Sequence, residues 1–586
     1  MIGPRSGGRR PAVRASAVAL VTAGLAIAGA VAVLAVSRAA TSAARPELVE
    51  IFDAARALRQ PALVDGIPDY TPAAVERQKA SLAELRGRFD RLDPGAWPVG
   101  EQVDYLIVRS SLDMLEYGLH VYRATSRSPN FYLSSISSFG LSSGATLSRL
   151  GQLVRQPAPF DEARARAVLD HMRNIPRILD QAKANLTEPT QEMSRWALPT
   201  LAGARESSRR FAETLAPHFP PALATELGPA AEAMGAAFED YRAWIEARLP
   251  TMVRAQPVGR ALYDWLLRRV WLLPYDAGEI LQFGEQEYGR YLSFTAFEEA
   301  RNRGLPVPRR AATTAEYAAM TEADEKKIRR FLVEKDVLTI PEFVGPYRRT
   351  LMPPYMVAFS LWAGLSGYSM PDNGAMKYSV PEDHPYVDTY WEAIMRVDAS
   401  TNIFHDGIPG HHFQGVVSGR HPSPIRSRHT ERFKSEGWST YWEETALQLG
   451  FYDDRPRSRE LIYNFLRLRA LRVIIDVKMA LGEMTADEGT TALMTVPMDR
   501  RIASEEADDF FAAPTGGIVY QIGKMQIERL LGERKRQLGD RFSLRAFHDE
   551  LVEAAWVPLE LTRWEMTGRG EHARRLLADR TPMPRP

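Results

Sequence analysis

The sequence contains no cysteine. That absence excludes thiol nucleophiles, thiolate metal sites, disulfides and an acylated lipoprotein cysteine, so any metal must rest on His, Asp and Glu. An excess of charge is missing too: 74 Lys and Arg stand against 73 Asp and Glu, a formal net charge of +1. Phosphate backbones are bound by surplus basic charge, which excludes nucleic acid as the partner. Alternating β-branched runs are rare, and beyond residue 45 there is no internal repeat or low-complexity linker. What remains is 45% hydrophobic and 25% charged, the composition of a folded protein rather than a disordered one. With 586 residues the chain exceeds the size at which one core saturates, so a buried cleft is easily built.

Arg5, Arg9, Arg10 and Arg14 precede an uncharged stretch from Ala15 to Ser37 that is long enough to span a bilayer. Basic residues ahead of an apolar N-terminal segment predict export, with the N-terminus held inside and the rest of the chain outside. The segment either persists as an anchor on the outer face of the cytoplasmic membrane or is cleaved to release a secreted or periplasmic protein. Small residues suited to cleavage occur at Ala35-Val36-Ser37 and Ser42-Ala43-Ala44. Arg9-Arg10 is only a weak twin-arginine signal.

Apolar residues recur at three-to-four spacing over Glu47–Leu58, Ala73–Leu92, Val103–Tyr122, Phe160–Leu186 and Ala222–Leu249. Prolines 129, 157, 189, 220 and 250 punctuate the pattern where helical hairpins would turn. An all-α fold follows, with a minor hairpin near Met376 to Pro381. The expected organisation is a signal or anchor segment over residues 1–45, an N-terminal helical half over 46–258 and a C-terminal half over 259–586 that carries the chemistry. The boundary between the halves is soft, lying around Val258 to Tyr275.

Three of the 11 histidines fall within Phe404-His405-Asp406-Gly407-Ile408-Pro409-Gly410-His411-His412-Phe413-Gln414. Two imidazoles and a carboxylate make a zinc site where thiolates are unavailable. The spacing is wrong for one continuous helix, on which His405 and His412 would stand about 10.5 Å apart along the axis. Pro409 and Gly410 offer the remedy: a helix end, a tight turn and a new helix can fold the histidines together. A Pro-Gly turn with ordinary surface or core histidines would carry the same letters, so a third ligand is needed. Glu436, beside Gly437 and among Trp438, Tyr441 and Trp442, is the candidate, and Glu443 is placed to orient a ligating histidine. Asp406 is the natural base and Tyr520, after Gly516-Gly517, a candidate oxyanion donor. Gly140-Leu141-Ser142-Ser143-Gly144 has the letters of a serine nucleophile elbow but lacks its strand-turn-helix setting.

These segments resemble the bacterial domain-of-unknown-function 885 family, whose characteristic run reads His-Glu-x-x-Pro-Gly-His-His-x-Gln followed by Glu-Gly-Trp-x-x-Tyr-x-Glu. Further similarity lies in Ile175-Pro176-Arg177 to Leu186, Tyr263 to Leu267, Arg472 to Asp476, Pro514 to Gly523 and His548, spanning about Pro46 to Leu577. The resemblance implies a large helical protein with a deep cleft, similar to the thimet-oligopeptidase and angiotensin-converting-enzyme kind of metallopeptidase, and often exported. It implies His405 and His411 as histidine ligands, His412 as the alternative, Glu436 as the third ligand and Tyr520 as the transition-state contact. The sequence departs from the family in three places. Asp406 stands for the expected Glu, Ala480 for an expected His, and Thr515-Gly516 for Gly-Gln.

Two functions are expected from this reading. One is a zinc-dependent hydrolase cutting peptide or amide bonds outside the cytoplasm, with one Zn²⁺, Asp406 as base and Tyr520 as oxyanion donor. The other is a catalytically impaired protein that keeps the metal and cleft and binds a peptide or partner. His/His/Glu suits zinc, while cobalt and manganese also fit such donors.

Overall fold

Periodic apolar residues, Pro in first turns and polar caps form helices over most of the chain. The computed structural model describes residues 44–133, 145–358 and 367–585. The apolar stretch from Ala15 to Ser37 and the Gly140–Gly144 motif lie outside these residues. In the N-terminal half the main helices are α1 (Pro46–Leu58), α2 (Pro72–Phe89), α3 (Val99–Tyr117), α4 (Glu162–Asn185) and α5 (Pro221–Arg248). Helices α1, α2 and α5 open on Pro, whose missing N–H costs nothing in a first turn. Asp161 caps α4 by accepting the Arg164 amide at 2.8 Å. Pro176 and Pro229 sit inside α4 and α5, where burial of Ile175, Ile178, Phe238 and Tyr241 outweighs the local helix penalty.

The C-terminal half adds α6 (Ala277–Arg301), α7 (Thr314–Glu334), α8 (Ser400–Asp406), α9 (His411–Ser418), α10 (Arg432–Gln448), α11 (Pro456–Ala480), α12 (Val519–Leu538) and α13 (Leu544–Glu553). Helix α6 packs along α11, and α10 packs along α12. Strand structure is minor. A ribbon pairs β1 (Leu63–Val64) with β2 (Ile67–Pro68), and a second sheet has the order β3 (Tyr347–Leu351), β5 (Ala375–Ser379), β4 (Gly367–Ser369). The expected hairpin is the antiparallel β4–β5 pair, with Gly367 opposite Lys377; β3 joins it in parallel, with Tyr347 opposite Ala375.

The largest apolar core joins Leu48, Leu106 and Leu266 to Val473, Ile518 and Leu576, so it draws on both sides of residue 258. A second core, containing Phe404, Phe413, Trp438 and Trp442, surrounds the histidine motif. Among the described residues no helix is long and apolar enough to cross a membrane.

Candidate metal centre

His405 lies at the C-terminal end of α8, residues 407–410 turn the chain, and His411 starts α9. Gly410 is demanded by close approach, since a Cβ there would lie 1.8 Å from the His405 carbonyl oxygen. The turn brings the two imidazoles to a centroid separation of 4.8 Å. A continuous helix would hold them about 9 Å apart along its axis.

The third group arrives on α10. Helices α10 and α12 cross backbone to backbone: a Cβ on Gly437 would lie 2.5 Å from the Gly523 Cα, and one on Gly523 would lie 2.0 Å from the Phe433 carbonyl oxygen. Glu436 adjoins this crossing and Tyr520 precedes it by one turn, so the same glycine contact places both. Glu436 Oε2 lies 3.4 Å from His405 Nε2 and 3.2 Å from His411 Nε2. In a tetrahedral site with bonds of about 2.0–2.1 Å, neighbouring ligand atoms are about 3.3 Å apart. That oxygen is buried yet makes no aligned hydrogen bond. An unsatisfied carboxylate oxygen facing two imidazole nitrogens fits a cation.

Polar neighbours orient the donors. His405 Nδ1 donates to Glu443 Oε1 at 2.7 Å, an oxygen that also accepts from Arg469 Nη2 at 3.0 Å. This leaves His405 Nε2 turned toward Glu436. His411 Nδ1 has the hydroxyls of Ser435 and Ser439 at 3.2 and 3.1 Å, and its Nε2 also faces Glu436. Burial alone would lower the His405 pKa, but the Glu436 and Glu443 carboxylates facing its ring carry it up to about 9. Burial would raise Glu436, but the facing imidazoles of His411 and His405 hold it well below the usual carboxylate range. His412 is not brought to the cluster: its Nε2 pairs with the Gly345 carbonyl at 3.1 Å. Of the two histidines left open by the sequence, His411 is the one gathered with His405 and Glu436.

Asp406 and Tyr520 line a cavity of about 280 Å³ with His405, Lys377, Arg469 and Trp391 among its other walls. The Asp406 carboxylate is held by Lys377 from β5 and accepts from Asn402 Nδ2 at 2.6 Å. Burial alone would raise its pKa, but the charges of Lys377, His405 and His411 hold it well below the carboxylate range. The Tyr520 ring stacks near His405 at 6.4 Å between centroids. Burial, then the Glu436 charge, push its phenol up to about 12, so it stays protonated at neutral pH.

Residues 55–566 match the family described as bacterial protein of unknown function, DUF885. The chain belongs to that family. Two solved structures share the DUF885 chain's fold. A candidate lipoprotein of unknown function from Shewanella oneidensis aligns with a TM-score of 0.64 and 16% identity, over 89% of this chain and 98% of that one. A candidate lipoprotein from Colwellia psychrerythraea aligns with a TM-score of 0.69 and 16% identity, over 91% and 98%. Comparison with curated proteins gives no match.

Several other segments singled out in the sequence meet away from His405, His411 and Glu436. Asp476 accepts from the Tyr263 hydroxyl at 2.7 Å and from the Thr515 and Gly517 amides at 2.9 and 2.7 Å. It thereby fixes the loop that launches α12 and Tyr520. His548 is buried, accepting from the Tyr441 hydroxyl at 2.8 Å and donating from Nδ1 to the Val337 carbonyl at 2.6 Å, so it braces α13 against α10. Lys377, Asn402, Ser435, Ser439 and Arg469 were not singled out in the sequence. Asn402 precedes Asp406 by one helical turn, and Ser435 and Ser439 flank Glu436 at i, i+4 spacing, which are usable signals. Nothing local marks Lys377, which reaches Asp406 from a strand.

Proposed function

We propose that this DUF885 chain is a zinc-dependent hydrolase of peptide or amide bonds that works outside the cytoplasm. The observation that carries the reading is the convergence of His405 Nε2, His411 Nε2 and the hydrogen-bond-free Oε2 of Glu436 on one point. These three would hold the ion, and the helical, cleft-containing architecture would be of the thimet-oligopeptidase and angiotensin-converting-enzyme kind. Zinc in such a site supplies Lewis acidity toward a carbonyl and lowers the pKa of a water.

The protein groups divide the remaining work. Asp406 is ionised and lines the cavity beside His405, so it can accept a proton from a water there. Its pairing with Lys377 lowers its basicity, and release of that pairing on substrate binding would restore it. Tyr520 keeps its proton and can donate to an oxygen that gains negative charge. Glu443 and Arg469 keep the His405 ring in one orientation.

Export rests on the basic and apolar N-terminus together with the names of the two structural neighbours, both called candidate lipoproteins. The given sequence has no cysteine to acylate, and the Ala15–Ser37 segment is the candidate tether.

The contacts of Asp406 favour a second reading, a metal-holding binder of peptides or partners that has lost turnover. A short carboxylate engaged by Lys377 and Asn402 is a weak base. Substitution separates the two. If the natural chain cleaves a peptide library, Asp406→Ala should abolish cleavage while zinc content stays unchanged. If the natural chain is inert and Asp406→Glu cleaves, the binder reading replaces the hydrolase.

A further inference from the structure

Arg469 and Arg472 lie one turn apart on α11 and both line the cavity that holds His405, Asp406 and Tyr520. Their guanidinium carbons sit 5.6 and 5.0 Å from the Tyr520 ring centroid and 5.2 and 5.3 Å from that of Trp391, so both cations lie against the same two aromatic rings. Arg472 is already paired with Glu506, its Nε donating at 3.0 Å. Arg469 is not fully used. It is only 4% exposed, Nη2 serves Glu443, and Nε and Nη1 have no hydrogen-bond partner.

Buried guanidinium N–H groups without acceptors are costly, and each asks for an explanation. The aromatic faces relieve part of that cost but accept no directed hydrogen bond. Charge points the same way. Lys377, Arg469 and Arg472 contribute three positive charges and a divalent ion two more, against the four carboxylates Asp406, Glu436, Glu443 and Glu506 that pair with them or hold the ion. With its metal the site is therefore one positive charge in excess. A neutral substrate segment would leave that charge uncompensated.

We propose that the cavity recognises a carboxylate of its ligand, seated on Arg469 with Arg472 beside it, and attached to an aromatic or large apolar side chain. The side-chain preference follows from Trp391, Met395, Phe465 and Tyr520, which form the apolar part of the wall. Arg469 is separated from the ligand His405 only by Glu443, so a bound carboxylate would lie close to the bond presented to the metal. Resting on the hydrolase reading, this makes the substrate a peptide cut next to a free C-terminus or next to an acidic side chain, rather than a neutral internal segment.

Two non-hydrolysable probes test the carboxylate independently of turnover. In calorimetric titrations of the zinc-loaded chain, 3-phenylpropionate should bind roughly tenfold or more tightly than 3-phenylpropan-1-ol, the scale of one charged hydrogen bond. That ratio should collapse in Arg469→Met, with zinc content measured alongside because Arg469 also supports Glu443. Arg472→Met leaves the Glu443–His405 pair untouched and should weaken the ratio as well. Equal binding of the two probes, or a ratio preserved in both variants as it would be if the carboxylate merely ligated the metal, overturns the proposal. Peptides then locate the carboxylate. Cleavage of Ala-Ala-Phe but not its amide assigns the C-terminus, and cleavage of Ala-Ala-Glu amide but not Ala-Ala-Phe amide assigns a side chain. Equal cleavage of all of them removes the carboxylate site but keeps the hydrolase, whereas carboxylate-selective binding with no cleavage keeps the site and removes the hydrolase.

Discussion

Trp438 donates its indole N–H to the Pro409 carbonyl at 2.6 Å, so the helix carrying Glu436 is tied directly to the turn that separates His405 from His411. Trp438 is fully buried, and its ring packs edge-on against Trp442 at 5.6 Å. Replacing it with Phe retains much of the apolar contact but strands the Pro409 carbonyl. Trp438→Phe should destabilise the fold by about 1–3 kcal/mol through that buried acceptor. It should also weaken metal binding, because the turn and the Glu436 helix lose their common tether. Denaturant titration and competitive metal titration on the same preparation check both. Unchanged metal affinity would show that the tether is not what holds the ligands together.

Glu443 would support the proposed metal site through His405, without itself being one of the three candidate ligands. It accepts from His405 Nδ1, and Arg469 fixes it in turn. Glu443→Gln keeps the shape but weakens the hold on the ring, so metal affinity should fall by about 10–100-fold, the usual size of such effects. A chelator competition assay reads this directly. An affinity within twofold of the parent would contradict the positioning role.

Proton release should accompany metal uptake. In the metal-free chain His405 has its pKa raised to about 9 by Glu436 and Glu443 against the opposing effect of burial. Its folded value exceeds the unfolded reference of about 6.5, so the charged ring stabilises the metal-free fold fully below that pH and loses this contribution as pH rises through about 9. Metal requires the neutral ring. At pH 7.5, uptake should therefore release about one proton, and apparent affinity should climb about tenfold per pH unit from 7 toward 9. Titration calorimetry in buffers of different ionisation enthalpy measures the proton count. A count near zero would mean that Glu436 and Glu443 do not hold His405 protonated in the metal-free chain.

The crossing of α10 and α12 leaves no room for a side chain. A Cβ on Gly523 would lie 2.0 Å from the Phe433 carbonyl oxygen, which is backbone and cannot rotate away. Gly523→Ala should force the helices apart at a cost of about 1–3 kcal/mol or more and displace Glu436 and Tyr520 together. Thermal denaturation with metal analysis tests it. Gly532, which has open space around its Cβ direction on the same helix, provides the control substitution.

The parts legible in the sequence were those with local causes. The helical period predicted α1, α2, α4 and α5 to within a few residues, because apolar spacing and Pro starts act within one segment. The turn between His405 and His411 was readable from Pro409-Gly410, since few other dipeptides break a helix so tightly. Glu436 and Glu443 were readable from their setting among buried aromatics. The choice between His411 and His412 was not, because it depends on where Gly345 sits. Nor was Lys377, which meets Asp406 only after β5 pairs with β4 and β3 and is brought to the mouth of α8. The contact between Gly437 and Gly523 likewise joins segments that no local pattern relates.

Elemental analysis of the chain from Pro46 onward tests whether His405, His411 and Glu436 hold one metal ion. One equivalent of zinc is expected in the parent and little in His405→Ala, His411→Ala or Glu436→Ala, with zinc retained in His412→Ala. A well-folded parent that takes up no metal after incubation with zinc, or that loses it only in His412→Ala, would contradict a metal site on these three residues.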